Sequence, residues 1–393
     1  MYYLLNLVFN LLSKKSITPK DNECQFLIGC ILSKFGFEID VLNKKGVYNL
    51  WASKGFGKTT LLFVGHTDVV PSGTIKEWKH PPFIPFLNNK GYIISRGIVD
   101  MKGSLCAMIK ATCNLIKIYP KYKGKISFLI TSDEEGEGKY GTNYVINKII
   151  KRKEIINSCI IGEPTSKIFV GDTLKIGRRG SLNAKIIVYG IQSHIAYTKT
   201  LLNPIHILIN LTHYLLKIKW DKGNKYFSKT SFQISNFNAG LGVTNMLPNY
   251  AKLLCNFRFS NELTANEIKN KVSNIFLLFN LENNKDYKIE WYISGEPYIT
   301  NKGKLLNAVT FGIKYICKLL PQINTNGGIS DGRFIKKTCN QIIELGLKND
   351  TIHKINECVF FSDIILLTKV YQIIIEYLFI YQKTKWSQGD LNS

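Results

Sequence analysis

Short apolar runs closed by turn-forming residues alternate with helix-periodic stretches over most of this chain. Leu61 to Val64 are four consecutive apolar residues before Gly65, a run too short for a helix, and they predict a strand buried on both faces. Val47 to Ala52, Tyr92 to Ser95, Lys125 to Ser132, Cys159 to Gly162 and Gln341 to Leu345 predict further strands. Helical spacing predicts helices over Asn22 to Phe35, capped by Asp21 and stopped by Gly36, and over Ser104 to Tyr119 and Lys304 to Leu320. This alternation is that of an α/β fold built on a parallel sheet.

From Arg178 the pattern changes. Ser181 to Gly190, Ser231 to Phe237, Tyr250 to Phe259 and Asp286 to Ser294 predict strands, with helices over Pro204 to Trp220 and Thr264 to Leu281. The order β-α-β-β-α-β is the ferredoxin-like unit. The expected organisation is therefore an α/β domain over residues 1–178 and 295–393, interrupted by an inserted α+β domain over 179–294.

The predicted strands of the first domain end in chemistry. Gly65 turns the chain and His66 and Asp68 follow two residues apart, at the strand end where open α/β sheets place ligands. The pair suits a metal ligand with an orienting carboxylate, and equally a packed histidine beside a turn-capping aspartate. Lys125 to Ser132 ends in Asp133-Glu134-Glu135-Gly136-Glu137, carboxylates that repel one another unless cations share the site. Cys159 to Gly162 ends in Glu163, Asp100 sits just ahead of a helix, and Thr351-Ile352-His353 supplies a second imidazole. His66, Glu134, Glu135, Glu163 and Asp100 can converge at one edge of one sheet.

Two phosphate-loop imitations fail. Gly55-Phe56-Gly57-Lys58-Thr59 lacks the first glycine, where Ala52 stands, and precedes a strand, so a hairpin turn is expected. Gly136, Gly138 and Gly141 have dinucleotide-fingerprint spacing, but the adjacent carboxylates would face a pyrophosphate.

Charge and composition narrow the classes. The 393 residues are 45% hydrophobic and carry a net charge of +24, yet the lysines are spread through every segment, so no nucleic-acid partner is expected. Nine scattered cysteines without a Cys-x-x-Cys pair fit a reduced, cytoplasmic protein. Met1 to Leu12 has no basic leader and reads as an amphipathic helix. Ile364 to Ile380 is broken on one face by Lys369, Gln372 and Glu376, so a packed helix and no membrane span is expected. The last ten or so residues are polar and are expected to fray.

Taken together, His66-Thr67-Asp68-Val69-Val70-Pro71, Arg96-Gly97 through Asp100-Met101-Lys102-Gly103, Asp133-Glu134-Glu135, Gly162-Glu163-Pro164 and Thr351-Ile352-His353-Lys354 resemble the co-catalytic dizinc aminoacylase and carboxypeptidase family. The resemblance covers nearly the whole chain, in order. It implies a zinc-peptidase-like catalytic domain with a mixed, mostly parallel sheet and an inserted domain that forms a homodimer. It implies two Zn2+ per subunit, replaceable by Co2+: one held by His66 and Glu163, the other by Glu135 and His353, with Asp100 bridging. Asp68 would orient His66, and Glu134 would be the general base.

Arg178-Arg179-Gly180-Ser181, Gly190-Ile191-Gln192-Ser193-His194, Ser330-Asp331-Gly332-Arg333-Phe334 and His353-Lys354-Ile355-Asn356-Glu357 resemble, more narrowly, the bacterial members that cleave an N-succinyl amide of LL-diaminopimelate. Acetylornithine deacetylases and dipeptidases share the same metal site. The narrower resemblance implies a small polyanionic substrate gripped by Arg178, Ser181, Asn245, Arg258, Thr325 and Asn349, arginine being suited to a carboxylate by its paired donors. It also implies that His194 reaches the partner subunit's active site. The chain departs from the expected pattern at Ser193, Thr198-Lys199, Asn326 and Ile329, none of them a metal ligand.

Overall fold

A computed structural model describes residues 2–197 and 203–381. Thr198 and Lys199 and the polar C-terminal tail lie outside the described residues. The chain forms two compact units, one of Met1–Gly177, Ile299–Asn324 and Ser330–Ser393, the other of Arg178–Tyr298 and Thr325–Ile329.

The first unit is built on an eight-stranded sheet in the order Glu38–Val41, Asn49–Phe56, Gly124–Thr131, Thr60–His66, Ser158–Ile161, Gln341–Glu344, Thr173–Lys175, Gln322–Asn324. Its four central strands run parallel, and all seven residues of Thr60–His66 are buried. That burial on both faces is why the strand reads as an unbroken apolar run. Helices Tyr2–Leu12, Gly103–Ile118, Lys304–Cys317 and Phe361–Phe379 supply apolar faces to a common core around Phe63, Phe128, Leu105, Val309 and Tyr371.

The sheet is mixed and mostly parallel, as the family resemblance implies. Asn49–Phe56 pairs antiparallel with Gly124–Thr131 and with the edge strand Glu38–Val41. The segment 55–59 is consequently no hairpin turn: Gly124–Thr131 lies between the two strands it joins, because its apolar residues need neighbours on both sides. Gly55 (φ 89) meets the carbonyl of Gly124 too closely to admit a side chain, which explains the glycine that imitates a phosphate loop. The helix expected from Asn22 begins at Cys24, since Asn22 and Glu23 have left-handed backbones; the Asp21 carboxylate still accepts the N–H of Gln25 at 3.0 Å.

The second unit is a four-stranded antiparallel sheet in the order Ser231–Ala239, Tyr250–Phe259, Gly180–Tyr189, Tyr287–Gly295. Helices Pro204–Lys217 and Ala265–Leu278 pack on it around Phe257, Phe276, Leu211 and Val272. With the connection order β-α-β-β-α-β this is the ferredoxin-like arrangement. Thr264 and Glu267 form a reciprocal cap at the start of the second helix. Among the described residues, no helix is long and apolar enough to cross a membrane.

Candidate metal centre

The carboxyl ends of three adjacent parallel strands deliver His66, the loop of Glu134 and Glu135, and Glu163 to one place. Asp100 comes from the irregular turn 98–102 ahead of the Gly103–Ile118 helix, and His353 from a loop near the C-terminus of the unit. Gly65 packs closely at the root of this arrangement: a methyl group there would come within 2.6 Å of the tip of the Met101 side chain, which would have to move aside.

Asp100 is the hinge of the geometry. His66 Nε2 lies 3.1 Å from its Oδ1 and His353 Nε2 lies 3.1 Å from its Oδ2. Glu163 Oε1 stands 3.8 Å from His66 Nε2, and Glu135 Oε1 stands 2.9 Å from His353 Nε2. Two three-residue groups able to hold a metal ion result, His66 with Asp100 and Glu163, and Asp100 with Glu135 and His353. Glu134 approaches His66 and Glu135 in a third grouping. The floor is buried, with the His66 side chain 1% exposed, whereas His353 stands at the rim with 45% of its side chain exposed.

The donor set suits a pair of divalent cations. Imidazole nitrogens and carboxylate oxygens are the ligands zinc takes, and Asp100 offers one oxygen to each side. The carboxylates outnumber the imidazoles, an imbalance that bound cations would relieve. In the protein's own field, hydrogen bonds accepted by Asp100 and then Glu135 push His353 up to about 10. Burial opposes a charge on His66, yet the bond and charge of Asp100 raise it well above its ordinary value. Burial first, then the Glu163 carboxylate, raises Glu134 well above the usual carboxylate range.

Asp68 acts differently from a simple orienter of His66. The His66 Nδ1 hydrogen bond, 2.8 Å, goes to the Asp68 backbone carbonyl, while the nearest Asp68 carboxylate oxygen is 3.6 Å away. That carboxylate instead accepts the backbone N–H groups of Glu134 (3.4 Å) and Glu135 (3.1 Å). One residue thus fixes the tautomer of a ligand and the loop that carries Glu134 and Glu135.

The polar residues expected at the substrate are divided between the units. In the second unit Ser181 and Arg258 face each other across adjacent strands. Buried Arg178 donates to the carbonyls of Asn326 (3.1 Å) and Gly328 (3.2 Å), in the segment that begins with Thr325. Burial and then the charges of Arg179 and Arg178 lower the pKa of Arg258, which marks a concentration of guanidinium groups. The Thr325 hydroxyl donates to the Tyr226 carbonyl. His194 is exposed on a two-residue ladder with Met246, and the Asn245 carbonyl accepts from Ile195 at 3.0 Å. Asn349 lies in the first unit, its N–H on the Ser166 carbonyl at 3.0 Å. The departures at Ser193 and Asn326 sit on the His194 ladder and at an Arg178 acceptor. Glu357 and Arg96, which support the Asp100 turn, carry no role in the sequence reading, although both lie in the quoted motifs.

The model of peptidase family M20/M25/M40 matches residues 62–377, the span that holds every ligand above. The chain belongs to that family. A succinyl-diaminopimelate desuccinylase of Buchnera aphidicola subsp. Baizongia pistaciae (strain Bp) is 46% identical over 376 residues, which cover 96% of this chain and 98% of the relative. Among solved structures, an M20 family metallo-carboxypeptidase from Sulfolobus solfataricus superposes with a TM-score of 0.79 at 18% identity, over 96% of this chain and 99% of that one. A dinuclear metal binding peptidase of the M20 family from Bacillus subtilis gives a TM-score of 0.71 at 12% identity, over 96% and 97%. These two likenesses concern the fold.

Proposed function

We propose that this M20-family chain hydrolyses N-succinyl-LL-2,6-diaminopimelate to succinate and LL-2,6-diaminopimelate, a step of lysine biosynthesis by the diaminopimelate pathway. The observation that carries the substrate is the 46% identity to a succinyl-diaminopimelate desuccinylase along almost the entire length of both chains. The chemistry rests on Asp100, whose two oxygens each face a histidine Nε2.

The sites are taken to hold two Zn2+ per subunit, with Co2+ an acceptable substitute: His66, Asp100 and Glu163 for one, Asp100, Glu135 and His353 for the other. Bound there, the metals supply Lewis-acid polarisation of the amide carbonyl and acidify the attacking water. Glu134 accepts the proton of that water as its oxygen adds to the succinyl carbonyl carbon. It then returns the proton to the diaminopimelate nitrogen as the C–N bond breaks, leaving succinate and a free amine. Without metal, burial and then the Glu163 carboxylate hold Glu134 above the usual carboxylate range, and cations bound beside it would relieve that and leave it free to accept the proton. Asp68 keeps Glu134 and Glu135 in register through their backbone N–H groups.

Arg178, Arg258, Ser181, Thr325, Asn245 and Asn349 are assigned to the substrate carboxylates, an assignment favoured by the arginine-rich face of the second unit. We assign homodimerisation to that unit. Its edge strand Ser231–Ala239, with Phe237 exposed, has one side open in the sheet, a feature that invites pairing. In the dimer His194 would reach the partner subunit's site and donate to the oxyanion. Nine unpaired cysteines support a cytoplasmic setting.

Hydrolysis of N-succinyl-LL-diaminopimelate and of N-acetylornithine, measured side by side on metal-loaded protein, tests the substrate. The succinyl compound is expected to be cleaved with much the higher kcat/KM; equal rates would remove the assignment.

A further inference from the structure

Glu357 and Arg96 are among the most deeply buried charged residues of the first unit, at 0% and 2% exposure, and neither touches a reacting atom. Glu357 Oε2 accepts from Arg96 Nη1 at 2.8 Å and from the N–H of Gly97 at 2.9 Å. Its Oε1 accepts from the N–H groups of Val99 (2.8 Å) and Asp100 (3.3 Å). A single carboxylate thus holds the whole turn that ends in the shared ligand. Arg96 spends its other Nη donors on the carbonyls of Lys354 (3.1 Å), His353 (3.4 Å) and Pro71 (3.4 Å), and its guanidinium lies 5.2 Å over Trp78.

The pair therefore joins the segment after His66, the Asp100 turn and the His353 loop, three stretches remote from one another in sequence. His353 also needs holding, because its φ of 57 lies in the left-handed region that side chains disfavour. The fork of Arg96 on the carbonyls of residues 353 and 354 holds it there.

We propose that Arg96 and Glu357 are positioning residues that set the affinity of the two metal sites, Arg96 acting most strongly on the His353 site, where two of its three carbonyl acceptors lie, and Glu357 on both sites through Asp100. The proposal rests on the two-metal reading above. Arg96→Lys keeps a cation beside Glu357 and loses the fork that reaches three carbonyls. Glu357→Gln puts an amide N–H where the carboxylate accepts from Arg96, Gly97, Val99 and Asp100, so at least one donor faces another donor. A residue that merely held the fold together would lower both affinities in step with thermal stability. A positioning residue makes the losses selective by site.

The test is a stepwise zinc titration of metal-free protein against a chelator buffer, with bound metal counted and thermal midpoints recorded for each variant. Wild type is expected to take two ions in two resolved steps. Arg96→Lys should weaken the site of Asp100, Glu135 and His353 by about 10- to 100-fold, the usual effect of losing a group behind a ligand, and weaken the other step much less. Glu357→Gln should weaken both steps. If Glu357→Gln does not fold, Arg96→Lys decides the matter. Fewer than two ions on wild type would overturn the two-metal reading and this proposal with it. Two ions on wild type, with Arg96→Lys weakening both steps equally or neither, would overturn this proposal alone.

Discussion

The carboxylate of Asp68 accepts the backbone N–H of Glu135 at 3.1 Å. The same side chain accepts the N–H of Glu134 at 3.4 Å, while its own carbonyl takes the hydrogen bond of His66 Nδ1. Three functional residues on two strand ends are therefore fixed by one aspartate. Asp68→Ala is expected to lower kcat by about 10- to 100-fold, as loss of a group that orients a ligand does. Asp68→Asn, which can still accept one of the two N–H groups, should lose less. Steady-state kinetics at saturating zinc would show this; an unchanged kcat in Asp68→Ala would mean that the loop holds itself.

Adjacent glutamates are given opposite duties. Glu134→Gln should retain both metals and lose about 10²- to 10⁴-fold in kcat, the contribution of a general base. Glu135→Gln should instead lose metal from the His353 site, where Glu135 Oε1 stands 2.9 Å from the ring. Metal counting beside kinetics separates the two, and the reverse pattern would exchange the roles.

Metal uptake should release protons. Without metal His353, pushed up to about 10 by its hydrogen bonds to Asp100 and then Glu135, carries its proton throughout the neutral range, and against the opposing effect of burial Asp100 raises His66 above its ordinary value. His353 must lose its proton to bind through Nε2, so affinity should rise as pH increases and level off above the metal-free pKa of His353. Calorimetric titration at pH 7.5 in buffers of different ionisation enthalpy should report the release of about one proton or more per chain. Heats independent of the buffer would contradict the assignment of His353 as a ligand.

The proposed catalysis across a homodimer makes an unusual demand. When a Glu134→Gln chain is paired with a His194→Ala chain, one site of the mixed dimer keeps an intact Glu134 and receives an intact His194. Activity should return to about half of wild type per mixed dimer. No recovery in dimers shown to be mixed would place His194 outside the partner's chemistry.

Part of the site is legible because buried apolar strands end abruptly just before it, at His66, at the loop of Glu134 and Glu135, and at Glu163, whereas Asp100 and His353 come from a turn and a loop. The supports are harder to see. Asp68 acts on Glu135 through a backbone N–H, which leaves no trace in residue identity. Glu357 grips Asp100 from 257 positions away, a pairing that only the folded chain creates. Glu38–Val41 is half exposed and only four residues long, so no apolar periodicity announces it. The strands Thr173–Lys175 and Gln322–Asn324 are shorter still, and tertiary pairing rather than local propensity makes them strands.

The most direct measurement is hydrolysis of N-succinyl-LL-diaminopimelate by metal-free protein during stepwise addition of zinc, with bound metal counted at each step. Activity is expected to be absent without metal and to reach its plateau at two ions per chain. Full activity in rigorously metal-free protein, or saturating metal binding with no hydrolysis of this compound, would contradict the account.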